Sequence, residues 1–477
     1  MRILHATSEL FPYSKTGGLA DMVAGLTGAL AEQGHEITIA TPLHHGIREQ
    51  FPELKSPGTA FQIPLGKNIF TGRWWKLNAA NGVTVMFLEN DGFFERPGLY
   101  LRRGDGYWDN PERFMFLSKA VTDLAGNFDL VHVHDWQTAF VPMLLKLGLS
   151  DNTPPTVLTI HNLAYQGSCE GHRFEISNLD EKYFDREGPE FWGSLNFLKA
   201  GLHYADAITT VSLRYAREIL SAEFGEGMDG VLRSRGEALT GILNGVDYDE
   251  WRTVGNPHLP ADYSANDQAG KKICKEALVN SLELTDIQLP IFGVVSRLAE
   301  QKGIGLLLDT IEDFLTQQKL QLVVLGDGDQ ELVNQLIQLQ VKFPGAVAAK
   351  IKYDNRLAHQ IEAGSDFFLM PSRFEPCGLN QMYSLRFGTI PVVHAVGGLD
   401  DTIRDFKVSN QFANGIKFSP FDKSAFQNAI SDAINIYDDT EKRIELMTTG
   451  MTDDFSWHKS STEYAKLYVN LTDKQKT

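Results

Sequence analysis

Cysteine is scarce: Cys169, Cys274 and Cys377 are the three in 477 residues. Their spacing forms neither a disulfide framework nor a zinc site, which points to a reducing compartment. No run of about 18 apolar residues occurs, so no membrane-spanning helix is expected. A basic stretch followed by a short apolar core is missing as well. Met1-Arg2-Ile3-Leu4-His5 enters a strand pattern directly, and a cytoplasmic location is expected. Cations are in deficit: 44 Lys and Arg stand against 61 Asp and Glu, a net charge of −17. That sign disfavours a non-specific nucleic-acid binder, whose affinity comes from a cationic surface. An anionic ligand is still possible where cations gather locally.

What is present is a repeated grammar. With 43% apolar residues, the chain can bury large cores, and its length favours two or three domains. "RILHATSE" reads as a buried strand, "LADMVAGLTGALAEQG" as a helix closed by Gly34, and "HEITIATP" as the next strand. Later, "LPIFGVVSRL" is a strand, "QKGIGLLLDTIEDFLTQQ" a loop and helix, and "LQLVVLG" a strand. Such β-α-β units predict parallel sheets covered on both faces. "FDLVHVHDW", "PPTVLTIHN" and "ADAITTVS" extend the first series, "FFLMP" and "TIPVVHA" the second. The expected class is α/β, with two Rossmann-like doubly wound domains facing across a cleft, over 1–245 and 246–455. The join falls in "ILNGVDYDEWRT", where regular patterning breaks down. Residues 456–477 carry a helical pattern with no strand after it and are expected to cross back onto the first domain.

Ligands of open parallel sheets bind beyond the carboxyl ends of strands, and the informative residues follow strands. Lys15, Gly17 and Gly18, in "KTGGLAD", follow the first one. A cation beside two glycines suits either a tight turn or a phosphate cradle. Asp135 follows "LVHVH", where it is a helix cap or a functional acid. His161 follows "TVLTI", as a satisfied buried histidine or a reactive one. Arg297 and Lys302 follow "FGVVS", where free backbone N–H groups also gather, so guanidinium, ammonium and amides together would neutralise a diphosphate. Glu375, in "PSRFEPCGL", is a capping acid or a site carboxylate. "LGDGDQEL" mimics a metal-binding Asp-x-Asp at Asp327 and Asp329 and begins a dinucleotide fingerprint at Gly326. Glu331 replaces the third glycine, so a plain turn explains both.

Together, "KTGGLAD", "VHDW", "IHNLAYQG", "NFLKAGLHYAD", "GILNGVD", "SRLAEQKG" and "PSRFEPCGL" occur in the order seen in bacterial glycogen synthases and plant starch synthases. The chain resembles that family from residue 2 to about its last twenty. The resemblance implies a retaining glucosyltransferase that moves glucose from ADP-glucose to the non-reducing 4-hydroxyl of an α-1,4-glucan. Neither metal nor cofactor is implied. Lys15, Gly17 and Gly18 would meet the sugar-nucleotide phosphates, and Arg297 and Lys302 the distal phosphate that departs with ADP. Glu375 would orient the glucose hydroxyls, His161 contact the sugar, and Asp135 orient donor or acceptor. Asn244 would reach the glucose, Tyr353 the adenine, and Cys377 and Gly378 would begin a helix whose N–H groups meet phosphate.

The family's "DRPG" loop appears here as "FFERPG", with Phe94 where many relatives carry tyrosine. Trp74, Trp75, Tyr107 and Trp108 have rings suited either to sugar stacking or to a core. A UDP-glucose-using synthase and a non-catalytic glucan-binding paralogue are the rival readings. A nicotinamide dehydrogenase is disfavoured by the broken glycine fingerprint.

Overall fold

A computed structural model describes residues 1–54, 57–79, 81–102, 104–148, 153–408 and 412–476. The chain divides into two units, Met1–Gly245 with Trp457–Thr477, and Val246–Ser456. Among the described residues, no helix is long and apolar enough to cross a membrane.

The first unit is built on one nine-stranded sheet, with two small sheets of three and two strands set apart from it. The strands of the large sheet are β1 Arg2–Ala6, β2 Glu36–Pro42, β3 Phe61–Leu65, β4 Asn68–Asn78, β5 Thr84–Glu89, β6 Leu130–His134, β7 Thr156–Ile160, β8 Ala207–Thr210 and β9 Leu239–Gly241. They lie in the order β9-β8-β7-β6-β1-β2-β5-β4-β3. All pairings are parallel except those of β4 with β3 and β5. Strand β6 (LVHVH) and strand β7 (TVLTI) are buried at every position, because helices cover both faces of a parallel sheet. Alternation then sorts the side chains. Leu4, Val131, Leu158 and Ile208 enter one core, and Ile3, Leu130, Val157 and Ala207 the other.

Helix Gly18–Glu32 buries Leu19, Met22, Val23, Leu26 and Leu30 on one stripe, and Gly34 at φ +87° follows its end. The terminal helix, Trp457–Lys476, joins this second core through Trp457, Tyr464 and Tyr468. Two glycines admit it. A Cβ on Gly25 would lie 1.9 Å from the Trp457 indole nitrogen, and one on Gly245 would lie 2.6 Å from the Trp457 Cα. The Tyr468 hydroxyl also reaches Nδ1 of His132 at 2.7 Å, so a polar contact fixes the helix register.

The second unit has six strands: β10 Ile291–Val295, β11 Gln321–Gly326, β12 Val347–Ile351, β13 Phe367–Met370, β14 Ile390–His394 and β15 Ile416–Phe418. Their order is β12-β11-β10-β13-β14-β15, all parallel. Each sheet therefore reverses its winding once, between β1 and β6 in the first unit and between β10 and β13 in the second. Loops leaving those four strands meet at each switch point, the place where doubly wound sheets bind ligands.

Candidate active site

In the first unit, the loop after β1 is organised by a carboxylate that the sequence reading passed over. Glu9, 3% exposed, accepts the Thr16 backbone N–H at 2.5 Å, the Thr16 hydroxyl at 2.6 Å and the Gly17 N–H at 3.4 Å. The Tyr100 hydroxyl donates to the same carboxylate at 2.6 Å. Amides of the glycine loop thus point at an internal anion, and charge-assisted bonds of this kind hold a loop firmly. Lys15 lies beside them, its Nζ 2.8 Å from Asp21. Gly17 is extended, at φ −158°, and a Cβ there would meet nothing within 4 Å. The fold itself makes no demand for glycine at that position.

Asp135 stands where β6 ends, at φ +55°. A non-glycine residue in the left-handed region costs of order 1–3 kcal/mol, and such strain clusters at functional sites. The strain aims its carboxylate across the strand ends, where Oδ1 accepts the His161 backbone N–H at 2.7 Å. It is not capping its own short helix, Asp135–Thr138. Burial raises the Asp135 pKa to about 7 against the pull of the His161 and Asn162 amides, and the charge of Glu9 adds to the rise. His161 follows β7, and burial lowers its pKa to about 3. Its Nε2 lies 3.1 Å from Nδ1 of His134. Asn244, beyond β9, is buried, and its Oδ1 has no hydrogen-bond partner among the described residues. The switch point thus brings together the glycine loop, Glu9, Asp135 and His161.

In the second unit, Lys302 ends the short turn Glu300–Lys302 after β10, and Glu375 lies in the loop after β13. They meet: Lys302 Nζ is 2.6 Å from Glu375 Oε2, and the Ser372 hydroxyl donates to the same oxygen at 2.9 Å. Glu375 is 5% exposed, so its charge is matched by a cation and a hydroxyl, as a buried carboxylate requires. Glycines let the two loops touch. Gly303, at φ +69°, would drive a Cβ to 1.8 Å from the Pro371 carbonyl. Gly397, at φ +47°, would drive one to 1.9 Å from the Glu375 carbonyl, which accepts the Gly398 N–H at 3.1 Å. This Gly397-Gly398 pair was legible as a second "GG" after a strand.

Arg297 is exposed and donates to Gln301 at 3.2 Å. Cys377 is buried, and Gly378, at φ +72°, leads to helix Asn380–Arg386. The side chain of Gln381 ties down the carbonyls of both at 3.1 Å. Tyr353 lies apart, 78% exposed beyond β12. Asp329 caps helix Gln330–Lys342 through the amides of Glu331 and Leu332, and Asp327 accepts the Gly328 N–H. Both acids are therefore turn residues.

The aromatics divide. Trp74 stacks on Phe61 against the core. Trp75 donates to Glu89 at 2.9 Å beneath the Arg48 guanidinium. Tyr107 lies between Arg96 and Arg113. Trp108 is 76% exposed. Phe94 is fully buried beside Phe93 and Phe116, and nearby hydroxyls come from Tyr100, which donates to Glu9, and from Tyr107, which donates to the Pro97 carbonyl.

Comparison with known proteins agrees with this layout. Residues 2–234 match the starch synthase catalytic domain family, and residues 284–446 match glycosyl transferases group 1. A glycogen synthase from Anaeromyxobacter sp. (strain Fw109-5) is 44% identical over 481 residues, covering 99% of each chain. One from Koribacter versatilis (strain Ellin345) is 40% identical over 475 residues, covering 98% of each. The solved catalytic domain of starch synthase IV from Arabidopsis thaliana, bound to ADP and acarbose, superposes with a TM-score of 0.91. It is 32% identical and covers 99% of both chains. The chain belongs to the glycogen and starch synthase family of glycosyltransferases.

Proposed function

We propose that the protein transfers glucose from ADP-glucose to the non-reducing end of an α-1,4-glucan with retention of anomeric configuration. The observation that carries this reading is the Lys302–Glu375–Ser372 constellation at the switch point of the second sheet, with Arg297 exposed beside it. Arg297 and Lys302 meet the distal phosphate. Negative charge grows there as the C1–O bond breaks, so fixed cations favour the transition state over the ground state. Glu375 orients glucose hydroxyls and offsets the oxocarbenium charge. The segment Cys377–Gly378, which leads into helix Asn380–Arg386 rather than beginning it, adds N–H groups toward phosphate, and Tyr353 flanks the adenine. The solved starch synthase relative, 32% identical, carries ADP and acarbose, which supports an adenine nucleotide and a glucan-like acceptor here.

In the first unit, Lys15, Gly17 and Gly18 approach the phosphates, since Gly17 offers no Cβ to obstruct them. Asp135, His161 and Asn244 serve the sugar. Diphosphate is a weakly basic leaving group and needs little acid catalysis. The C1–O4 bond forms on the face from which ADP departs, and the 4-hydroxyl proton passes to a phosphate oxygen of ADP. No step requires a metal ion.

The test is transfer of labelled glucose into glycogen from ADP-glucose and from UDP-glucose, each with and without EDTA. Expected is strong incorporation from ADP-glucose, unaffected by EDTA. Preference for UDP-glucose, or loss of transfer on chelation, overturns the donor or the metal-free scheme respectively.

A further inference from the structure

Three histidines run in line inward from the Asp135–His161 corner, His161 itself being the outermost. His5 on β1 and His134 on β6 are fully buried, with Nδ1 of His5 3.1 Å from Nε2 of His134. Nδ1 of His134 is in turn 3.1 Å from Nε2 of His161. Nitrogens of His5, His132 and His134 lie close enough together to suggest a metal cluster. Yet His132 is taken up by Tyr468 and Thr159, and the two nitrogens of His134 by His5 and His161. A hydrogen-bonded chain accounts for every ring nitrogen of the cluster except Nε2 of His5.

That exception sets a direction. Burial holds His5 and His161 down to about 3 and His134 well below the ordinary histidine range, so at neutral pH each ring carries one proton. A neutral imidazole donates at one nitrogen and accepts at the other, so two bonds in series must run the same way. If His161 donates inward, the chain ends in an N–H on Nε2 of His5. That atom is buried and has no partner among the described residues; among backbone groups an orphaned N–H is a rarer defect than an under-satisfied acceptor, and we carry that asymmetry over to the ring. If His5 donates outward instead, Nε2 of His5 is a bare lone pair. His134 then donates through Nδ1, and the proton of His161 is forced onto Nδ1, the nitrogen outside the chain.

We infer that His5 and His134 are positioning residues that fix His161 as its Nδ1–H tautomer, so that it meets the sugar as a neutral hydrogen-bond donor to an oxygen. The inference deepens the proposed function and rests on its placing of His161 at the sugar. It assigns a role that placement alone leaves open: His161 neither removes a proton at that nitrogen nor contributes a positive charge. The Nδ1–H recognises a hydroxyl or ring oxygen through its lone pair.

The test is nitrogen NMR of the full-length protein labelled with 15N-histidine, with His161 assigned by the resonance lost in His161→Asn. Expected is a protonated Nδ1 and a bare Nε2, unchanged across neutral pH. A proton on Nε2, or an imidazolium, overturns the inference. In His134→Phe the preference for Nδ1–H should relax; its persistence there shows that the chain does not set it and overturns the positioning role. Glucose transfer separates the two layers. His161→Asn, which keeps an amide donor near Nδ1, should retain at least tenfold more turnover than His161→Asp. Native turnover in both variants removes His161 from the sugar, and with it the placement on which the donor role rests, whatever tautomer the spectrum gives.

Discussion

The two switch points share a topology and differ in chemistry. In the second unit the site is ionic: Lys302 holds a buried Glu375, with Arg297 exposed nearby. In the first it is mostly neutral around one anion. Burial keeps His5, His134 and His161 uncharged and pushes Asp135 up to about 7, while Glu9 gathers the loop amides. On the proposed function, the Arg297–Lys302 cations suit a departing phosphate and the neutral Asp135–His161 corner suits a sugar. Departing phosphate calls for fixed positive charge, whereas a sugar is read by neutral donors and acceptors. The same β-α-β frame serves both because most of the differing chemistry sits at the strand ends and in the loops beyond them.

The largest expected effect falls on the ionic side. Glu375→Ala should lower turnover by roughly 10²–10³, the range for losing one preorganised electrostatic group. The loss should appear in kcat from ADP-glucose while circular dichroism stays native. Near-normal turnover would remove Glu375 from the chemistry and leave the comparison without its charged pole.

Next comes Glu9→Gln, which keeps the shape but removes the anion under the glycine loop. Hydrogen bonds to a charged group contribute about 1.5–3 kcal/mol, so donor kcat/KM should fall on the order of tenfold or more. Removing the Glu9 charge also relieves Asp135, so an acid limb in the pH profile of kcat, if Asp135 sets it, should move to lower pH. An unchanged donor kcat/KM would mean that the loop does not need its carboxylate.

Asp135→Asn sharpens the neutral side through stability. A carboxyl raised in the folded state, here from 3.8 to about 7, stays protonated while its unfolded counterpart ionises. The unfolded state then binds fewer protons, so this residue withdraws stability as pH rises from about 4 to about 7 and has no further effect above that. The native protein should therefore lose stability relative to Asp135→Asn across that window. Urea unfolding at both ends of it reads the difference, and a constant offset would mean that Asp135 is not raised.

The smallest effect is expected for Lys15→Gln. Its pair with Asp21 is partly exposed, and such pairs contribute about 0–1 kcal/mol, so unfolding should hardly change. KM for ADP-glucose should rise while glucan affinity holds. An unchanged KM would return the glycine loop to a plain turn.

Much of this was legible in the chain. The β-α-β grammar gave the parallel strands, and strand ends gave Lys15, Asp135, His161, Lys302 and Glu375. The antiparallel pair β3 and β4 was not, because its half-exposed strands lack the continuous apolar runs that mark buried parallel ones. Glu9 was hidden because its partners, Thr16, Gly17 and Tyr100, lie in two separate loops. His5 and His134 read as ordinary strand residues, since only strand adjacency reveals that their ring nitrogens face each other. The placement of the terminal helix hinged on Gly25 and Gly245, whose missing Cβ atoms matter only once Trp457 is seen against them.

The most direct test of the whole reading is proton NMR of the protein turning over ADP-glucose with a short α-1,4-linked oligosaccharide. Expected are ADP and a lengthened chain whose new linkage is α-1,4 from the first turnovers. A β-linked product, or release of free glucose without chain growth, would contradict it.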